Sequence, residues 1–255
     1  MKRLTAVLAP VALILGLLAA WEIACRALAV PHYVLPPPSA VAQALAADWK
    51  SLLASAWNTL AMALQALLAA SLMAQLAALG AALSPTLHRA LRPLAVVLQV
   101  TPVIAIAPLV NIWAGIDHPD RAIVALAAVV AFFPIFSGAV TGLRSADPDL
   151  ERLFDLYGAG RGARLLRLRL PSALPFLLEG HKVAAGLAIV GAVVAEFVAG
   201  SGSAQGLAWR ILDASHRLQT ARMLAALLAL GLLGAALYAL FEALERAGLK
   251  WWRGR

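Results

Sequence analysis

The sequence predicts an all-α membrane protein with six transmembrane helices, and three observations carry that expectation. Hydrophobic residues make up 62% of the 255 and charged residues only 13%, where an average soluble domain has roughly a quarter charged. Mostly apolar stretches of about 20 residues, the length a bilayer core requires, recur along the chain. Basic residues gather in alternate connections between those stretches, the pattern that sets orientation in membrane proteins.

The first expected span, about 5–29, follows Lys2 and Arg3 and carries Glu22 and Arg26 four residues apart, close enough to pair on one helix face. Its apolar run is long for a secretory signal and no small-residue cleavage site closes it, so it reads as a retained helix. "LPPPS" (35–39) is a stiff, extended turn, with Ser39 placed to cap a helix along the outer surface. The second span lies within 51–87, a run without Asp, Glu, Lys or Arg. The third, about 93–116, is interrupted by Thr101-Pro102 and Ala107-Pro108, where a proline removes a helical donor. The fourth is about 122–143. The fifth, about 176–199, carries Glu179, His181 and Lys182 near its start, at the interface, with Lys182 expected to extend its ammonium toward water. The sixth is about 223–241. Alanine, leucine and glycine dominate these spans, which suits close helix packing.

Orientation follows from charge. Lys2, Arg3, the segment "HRALR" (88–92), the arginines of 144–173, and Arg246, Lys250, Arg253 and Arg255 all fall on one side of six crossings. That side is expected to be the cytoplasm, with both termini in it. The opposite side holds 30–50, 115–121 and 200–222. The last is expected to form a Gly/Ser turn and a short outer-face helix, and its Arg210, Arg217 and Arg222 run against the charge bias.

Residues 147–171 are the unusual connection. "DPDLERLFDLYGAG" starts with Asp147 as a helix cap, Pro148 at the first helical position and acids in the first turn. Leu150, Leu153, Phe154 and Tyr157 recur at helical spacing, which predicts a short amphipathic helix. Gly158, Gly160 and Gly162 interrupt it, and Pro171 is expected to stop the apolar element that follows.

Several chemistries are excluded. "GAGRGA" has its third glycine one position early for a dinucleotide fingerprint, and no lysine follows a glycine to make a phosphate loop. The net charge of +8 and pI near 10.5 are accounted for by cytoplasmic connections, and no basic stripe interleaved with aromatics points to nucleic acid. No H-E-x-x-H or G-x-S-x-G motif is present, the histidines are scattered, and Cys25 stands alone, so no catalytic residue, metal site or disulfide framework is expected.

The connection 147–171 resembles the cytoplasmic loop of binding-protein-dependent ABC importer permeases, whose motif is E-A-A, three residues, Gly, nine residues, Ile, one residue, Leu-Pro. Gly158, Leu168, Leu170 and Pro171 match its spacing, while Arg152, Leu153 and Phe154 occupy the E-A-A positions and Glu151 is displaced by one. "TPVIAIAPLVNIWAG" (101–115), "FFPIFSGAVTGLRSADPDL" (132–150), "LPSALPFLLEGHKVAAGLA" (170–188) and "VVAEFVAG" (193–200) are similar to the nitrate, sulfonate and taurine branch of those permeases.

The resemblance implies a type I importer-like permease forming one domain over 1–255, with a core region at 51–245 and a coupling helix at 147–166 between helices 4 and 5. It implies a second permease copy, a dimer of ATP-binding subunits docking on Arg152, Leu153, Phe154, Tyr157, Gly158, Leu168, Leu170 and Pro171, and a periplasmic solute-binding protein on the other face. ATP and Mg would belong to the ATPase, with no cofactor in this chain, and the location would be the bacterial inner membrane. Gln99, Thr101 and Asn111 in the broken third span, and Glu196 late in the fifth, are the candidates for lining a path, since polar groups and broken helices inside a membrane mark pathways. The expected cargo is a small solute such as nitrate, a sulfonate or taurine. The alternative is a secondary transporter driven by an ion gradient, which would favour charged residues in mid-span and an internal repeat.

Overall fold

The computed structural model describes residues 2–115, 118–199 and 205–253, and every regular element among them is helical. In chain order these are α1 (Lys2–Ala27), α2 (Pro38–Leu83), α3 (Pro85–Val100), α4 (Val103–Ala114), α5 (Pro119–Leu143), α6 (Pro148–Leu156) and α7 (Arg161–Arg164). A π-type turn (Leu165–Arg169) then leads into α8 (Leu170–Ala199), followed by α9 (Leu207–His216) and α10 (Thr220–Arg253). Among the described residues, four helices are long and apolar enough to cross a membrane, or five if α3 and α4 count as one bent span; α1 is a further helix of 26 residues. The short helix expected in 200–222 is α9, whereas the Gly/Ser turn at 200–204 lies outside the described residues.

Several expectations need correction. The outer-surface helix and the second span are one helix, α2, of 46 residues. Ser39 is its second residue, and instead of capping the helix it donates to a carboxylate of α1: Glu22 accepts from the Ser39 N–H at 3.0 Å and from its hydroxyl at 2.8 Å. Glu22 also pairs with Arg26 at 2.6 Å. The third span breaks at Thr101-Pro102 as expected, with α3 and α4 bent by 102°, but not at Ala107-Pro108, which lies inside α4. Pro102 has no N–H and holds Thr101 extended (φ −70°, ψ 123°), and the Thr101 N–H and hydroxyl both turn back to the Val97 carbonyl at 3.0 and 2.6 Å. Finally, Pro171 does not stop its element. The preceding turn widens, so that the Leu170 N–H reaches the Leu165 carbonyl, five residues back. That extra width accommodates a proline ring that a regular α-turn would drive into a carbonyl.

The helices group into two compact units, Met1–Trp57 with Gln205–Gly231 and Asn58–Ala204 with Leu232–Arg255. In the first, the arginines that ran against the orientation bias are tied down. Arg222 pairs with Asp48 at 2.9 Å, Arg217 with Asp213 at 3.0 Å, and Arg210 donates to Ser55 at 3.0 Å.

In the second unit α5 and α8 approach to backbone contact. A Cβ on Gly138 would lie 2.7 Å from the Phe176 carbonyl oxygen, one on Gly180 2.8 Å from that of Pro134, and one on Gly142 2.9 Å from the Ala173 Cα. The end of α10 packs on α8 through Gly248, where a Cβ would meet Leu178 at 2.8 Å, and through the Trp252 indole N–H, which donates to the Pro171 carbonyl at 2.9 Å. Lys182 does not extend toward water. It pairs with Glu245 of α10 at 2.7 Å, both side chains largely buried, because α10 continues well beyond the expected end of the sixth span.

Candidate functional site

The connection between α5 and α8 is built from local signals. The Asp147 carboxylate caps α6 by accepting from the Asp149 N–H at 2.8 Å, and Pro148 opens the helix. Gly158 closes it with φ +61°, a left-handed conformation that favours glycine. Its N–H reaches the Asp155 carbonyl at 3.0 Å and the Ala159 N–H the Phe154 carbonyl at 2.9 Å, the bond pair of a Schellman C-cap. The motif glycine is thus what ends the helix and turns the chain toward α7.

The expected contact residues fall into two groups. Leu168 is buried, and Phe154 and Leu170 are half-buried. Leu153 and Tyr157 are exposed, and beside them so are Leu150 and Leu156, which the motif did not mark; Leu156 and Tyr157 are open by 85% and 82%. Among the described residues nothing covers this apolar strip, and strips of that kind ordinarily meet a partner.

The displaced acid supplies the internal fastening. Glu151 accepts from Arg169 at 2.7 Å and pairs with Arg164 at 3.3 Å, and Arg164 also bonds Asp155. Arg152, which stands in the motif's glutamate position, pairs with Asp149 at 3.0 Å, and both of those side chains lie open to solvent. Sequence spacing alone pointed to Arg152 and passed over Glu151; the arginine pattern at 164 and 169 was the available signal. Glu151→Ala is expected to loosen α6 by about 2 kcal/mol, the scale of half-buried charged hydrogen bonds. It should appear as roughly tenfold or faster amide exchange across 148–156, whereas Arg152→Ala, an exposed pair, should leave exchange within about twofold.

The second feature is a cavity of about 620 Å³ bounded by α3, α4, α5 and α8, within the size range of small-molecule sites. Gln99 and Thr101 line it at the bend between α3 and α4, with Ser137 and Thr141 on α5 and Glu179 on α8. The close approach of Gly138 and Gly180 to the facing backbones brings α5 and α8 together along its wall. A second cavity of about 600 Å³ shares Phe133, Ser137 and Thr141 with the first and carries His88, Arg92 and Arg144. Of the four expected path residues, therefore, Gln99 and Thr101 come together in one cavity. Asn111 and Glu196 line neither, and Glu196 is fully buried in α8. Glu179 is the cavity residue that sequence reasoning placed at the interface.

The sequence that forms these helices and the connection between α5 and α8 has relatives of known class. Residues 66–248 match the family described as the binding-protein-dependent transport system inner membrane component. The chain belongs to the ABC transporter permeases of the nitrate, sulfonate and taurine family. The permease is 37% identical to the riboflavin transport system permease protein RibX of Chloroflexus aurantiacus, over 95% of this chain and 89% of that one. It is 32% identical to the formylaminopyrimidine transport permease protein ThiX of Halalkalibacterium halodurans, over 98% of each. It is likewise 32% identical to the aliphatic sulfonates permease SsuC of Escherichia coli, described as putative, over 95% of this chain and 91% of that one. The permease is accordingly a multi-pass inner-membrane protein of a binding-protein-dependent transport family.

Proposed function

We propose that this permease imports a small solute across the bacterial inner membrane, driven by ATP hydrolysis in a separate subunit. Two copies face each other, two ATP-binding subunits that carry the ATP and Mg dock on the basic side, and a periplasmic solute-binding protein docks opposite. Both termini and α6 then lie in the cytoplasm, which the distribution of Lys and Arg supports. The observation that carries this reading is the uncovered apolar strip of α6, held at a defined angle by Gly158 and fastened to the root of α8 by Glu151. A push on α6 is transmitted through that fastening to α8, which walls the cavity. The solute belongs to the range that the relatives' names span, from nitrate, sulfonates and taurine to riboflavin and formylaminopyrimidine.

The test is co-purification. A tagged permease carrying Leu156→Glu and Tyr157→Glu is expressed in its native host beside the unaltered permease, and the ATP-binding subunit recovered with each is measured. Membrane insertion and monodispersity should be unchanged, since both side chains face solvent, while ATPase recovery should fall at least about tenfold, because buried apolar and aromatic anchors carry most interface energy. Undiminished recovery would sink α6 as the docking element. Uptake that persists without ATP and collapses with the ion gradient would instead favour a secondary transporter.

A further inference from the structure

The cavity among α3, α4, α5 and α8 carries charge of one sign. Glu179 is exposed and contributes to its lining, and among the described residues no Lys, Arg or His lines it. The other polar side chains on its lining, Gln99, Thr101, Ser137 and Thr141, are neutral. Lys182, three residues along α8, is within electrostatic reach of Glu179, but its ammonium is bonded to Glu245 at 2.7 Å and it does not line the cavity. His88, Arg92 and Arg144 belong to the neighbouring cavity, on the side where basic residues are expected for orientation alone. Glu179 stands on the order of 12 Å along α8 from Pro171, at about 1.5 Å per residue, and its helix brings it to the cavity wall and not to the arginine-rich connection before α8. A carboxylate on a wall that is otherwise mostly apolar sets the sign of the local potential.

We propose that Glu179 is a selectivity group of the translocation path: it makes the cavity negative, so that a cationic or uncharged solute passes and a simple anion is rejected. This rests on the importer reading and narrows its substrate class, departing from the nitrate, sulfonate or taurine expected from the resemblance. Charges in a cleft with low-dielectric walls act over longer range than on an open surface. An anion within about 5 Å of such a carboxylate loses occupancy by on the order of tenfold or more, and a cation gains as much. A second copy of the chain facing the first would bring a second Glu179 to the same path and double the effect.

The sign of the potential can be read without knowing the solute. In full-length permease with the native thiol removed (Cys25→Ala), Thr101→Cys places a thiol on the cavity wall, and Gln99→Cys, which lines this cavity and not the neighbouring basic one, provides a second site if loss of the Thr101 bonds at the bend disturbs folding. Each is labelled in membranes with a cationic methanethiosulfonate (ethyltrimethylammonium) and an anionic one (ethylsulfonate), and the rate ratio is divided by that on a free thiol. The cation should be favoured on the order of tenfold, and Glu179→Gln should bring the ratio to about one. A ratio near one with Glu179 present, a preference that survives Glu179→Gln, or no labelling of either thiol would overturn the proposal. A second arm reconstitutes the permease with its ATPase and binding protein and measures ATP-driven uptake of nitrate and ethanesulfonate. Robust uptake of either would overturn the selectivity while leaving the importer reading intact. Failure of the importer reading would show instead as absence of an associated ATPase, which does not alter the labelling ratio.

Discussion

Lys182→Met is expected to destabilise the permease by about 3 kcal/mol, because it strands the Glu245 carboxylate among largely buried helices. The two groups lie 2.7 Å apart with side chains 16% and 14% exposed, so removing one partner leaves a charge with little water to take its place. Removing both is different: desolvation of an ion pair offsets much of its attraction, and an apolar pair of similar volume is often neutral or better. The double variant Lys182→Met with Glu245→Met should therefore recover most of the loss. Unfolding of the purified protein in a detergent series, arranged as a double-mutant cycle, measures it. Simple additivity of the two single variants would show that the pair is not coupled and that α10 is held to α8 by packing alone. If stability returns in the double variant but ATP-driven uptake does not, the pair serves the motion of α8 as well as its stability.

That pair also shows where sequence reasoning stops. Local chemistry was legible: Asp147 and Pro148 start α6, Gly158 ends it, and Thr101-Pro102 breaks the third span, all within a turn of the residues responsible. The apolar helices were legible from hydropathy because a bilayer core requires about 20 apolar residues, but their ends were not: α2 runs to 46 residues and α10 to 34. What was missed depends on distant partners. Lys182 looked like an interfacial lysine until α10 brought Glu245 beside it, and Glu151 looked like a displaced motif residue until Arg164 and Arg169 folded back onto it. Pro171 carries an unconditional stop signal in one-dimensional reading, yet one extra residue in the preceding turn absorbs it. The cavity was half-visible: Gln99 and Thr101 were marked by polarity at a break, whereas Glu179 was assigned by its distance from a span end, which says nothing about the face of α8 it occupies.

The glycines shared by α5 and α8 set the other large effect. Gly138→Ala should cost about 3 kcal/mol and Gly138→Val should prevent accumulation of folded permease, at the upper end of overpacking penalties. A Cβ at Gly138 falls 2.7 Å from the Phe176 carbonyl oxygen, and the reciprocal Cβ at Gly180 falls 2.8 Å from that of Pro134. Both obstacles are backbone atoms, so no side-chain rotation relieves them; the helices must separate, and the tight packing that small residues permit is lost along the pair. Gly186, on the same helix α8, is the control, because a Cβ there meets nothing within 4 Å. Gly186→Ala should be neutral or stabilising by up to about 1 kcal/mol through helix propensity. Opposite signs at Gly138 and Gly186 would tie the cost to the α5–α8 contact, and equal effects would refute it. Because Gly138 and Gly180 also line the cavity, partly folded Gly138→Ala protein should show altered thiol labelling at Thr101→Cys, whereas Gly186→Ala should not. The contact that holds α5 and α8 together is then also what fixes the distance of Glu179 from the bend at Thr101.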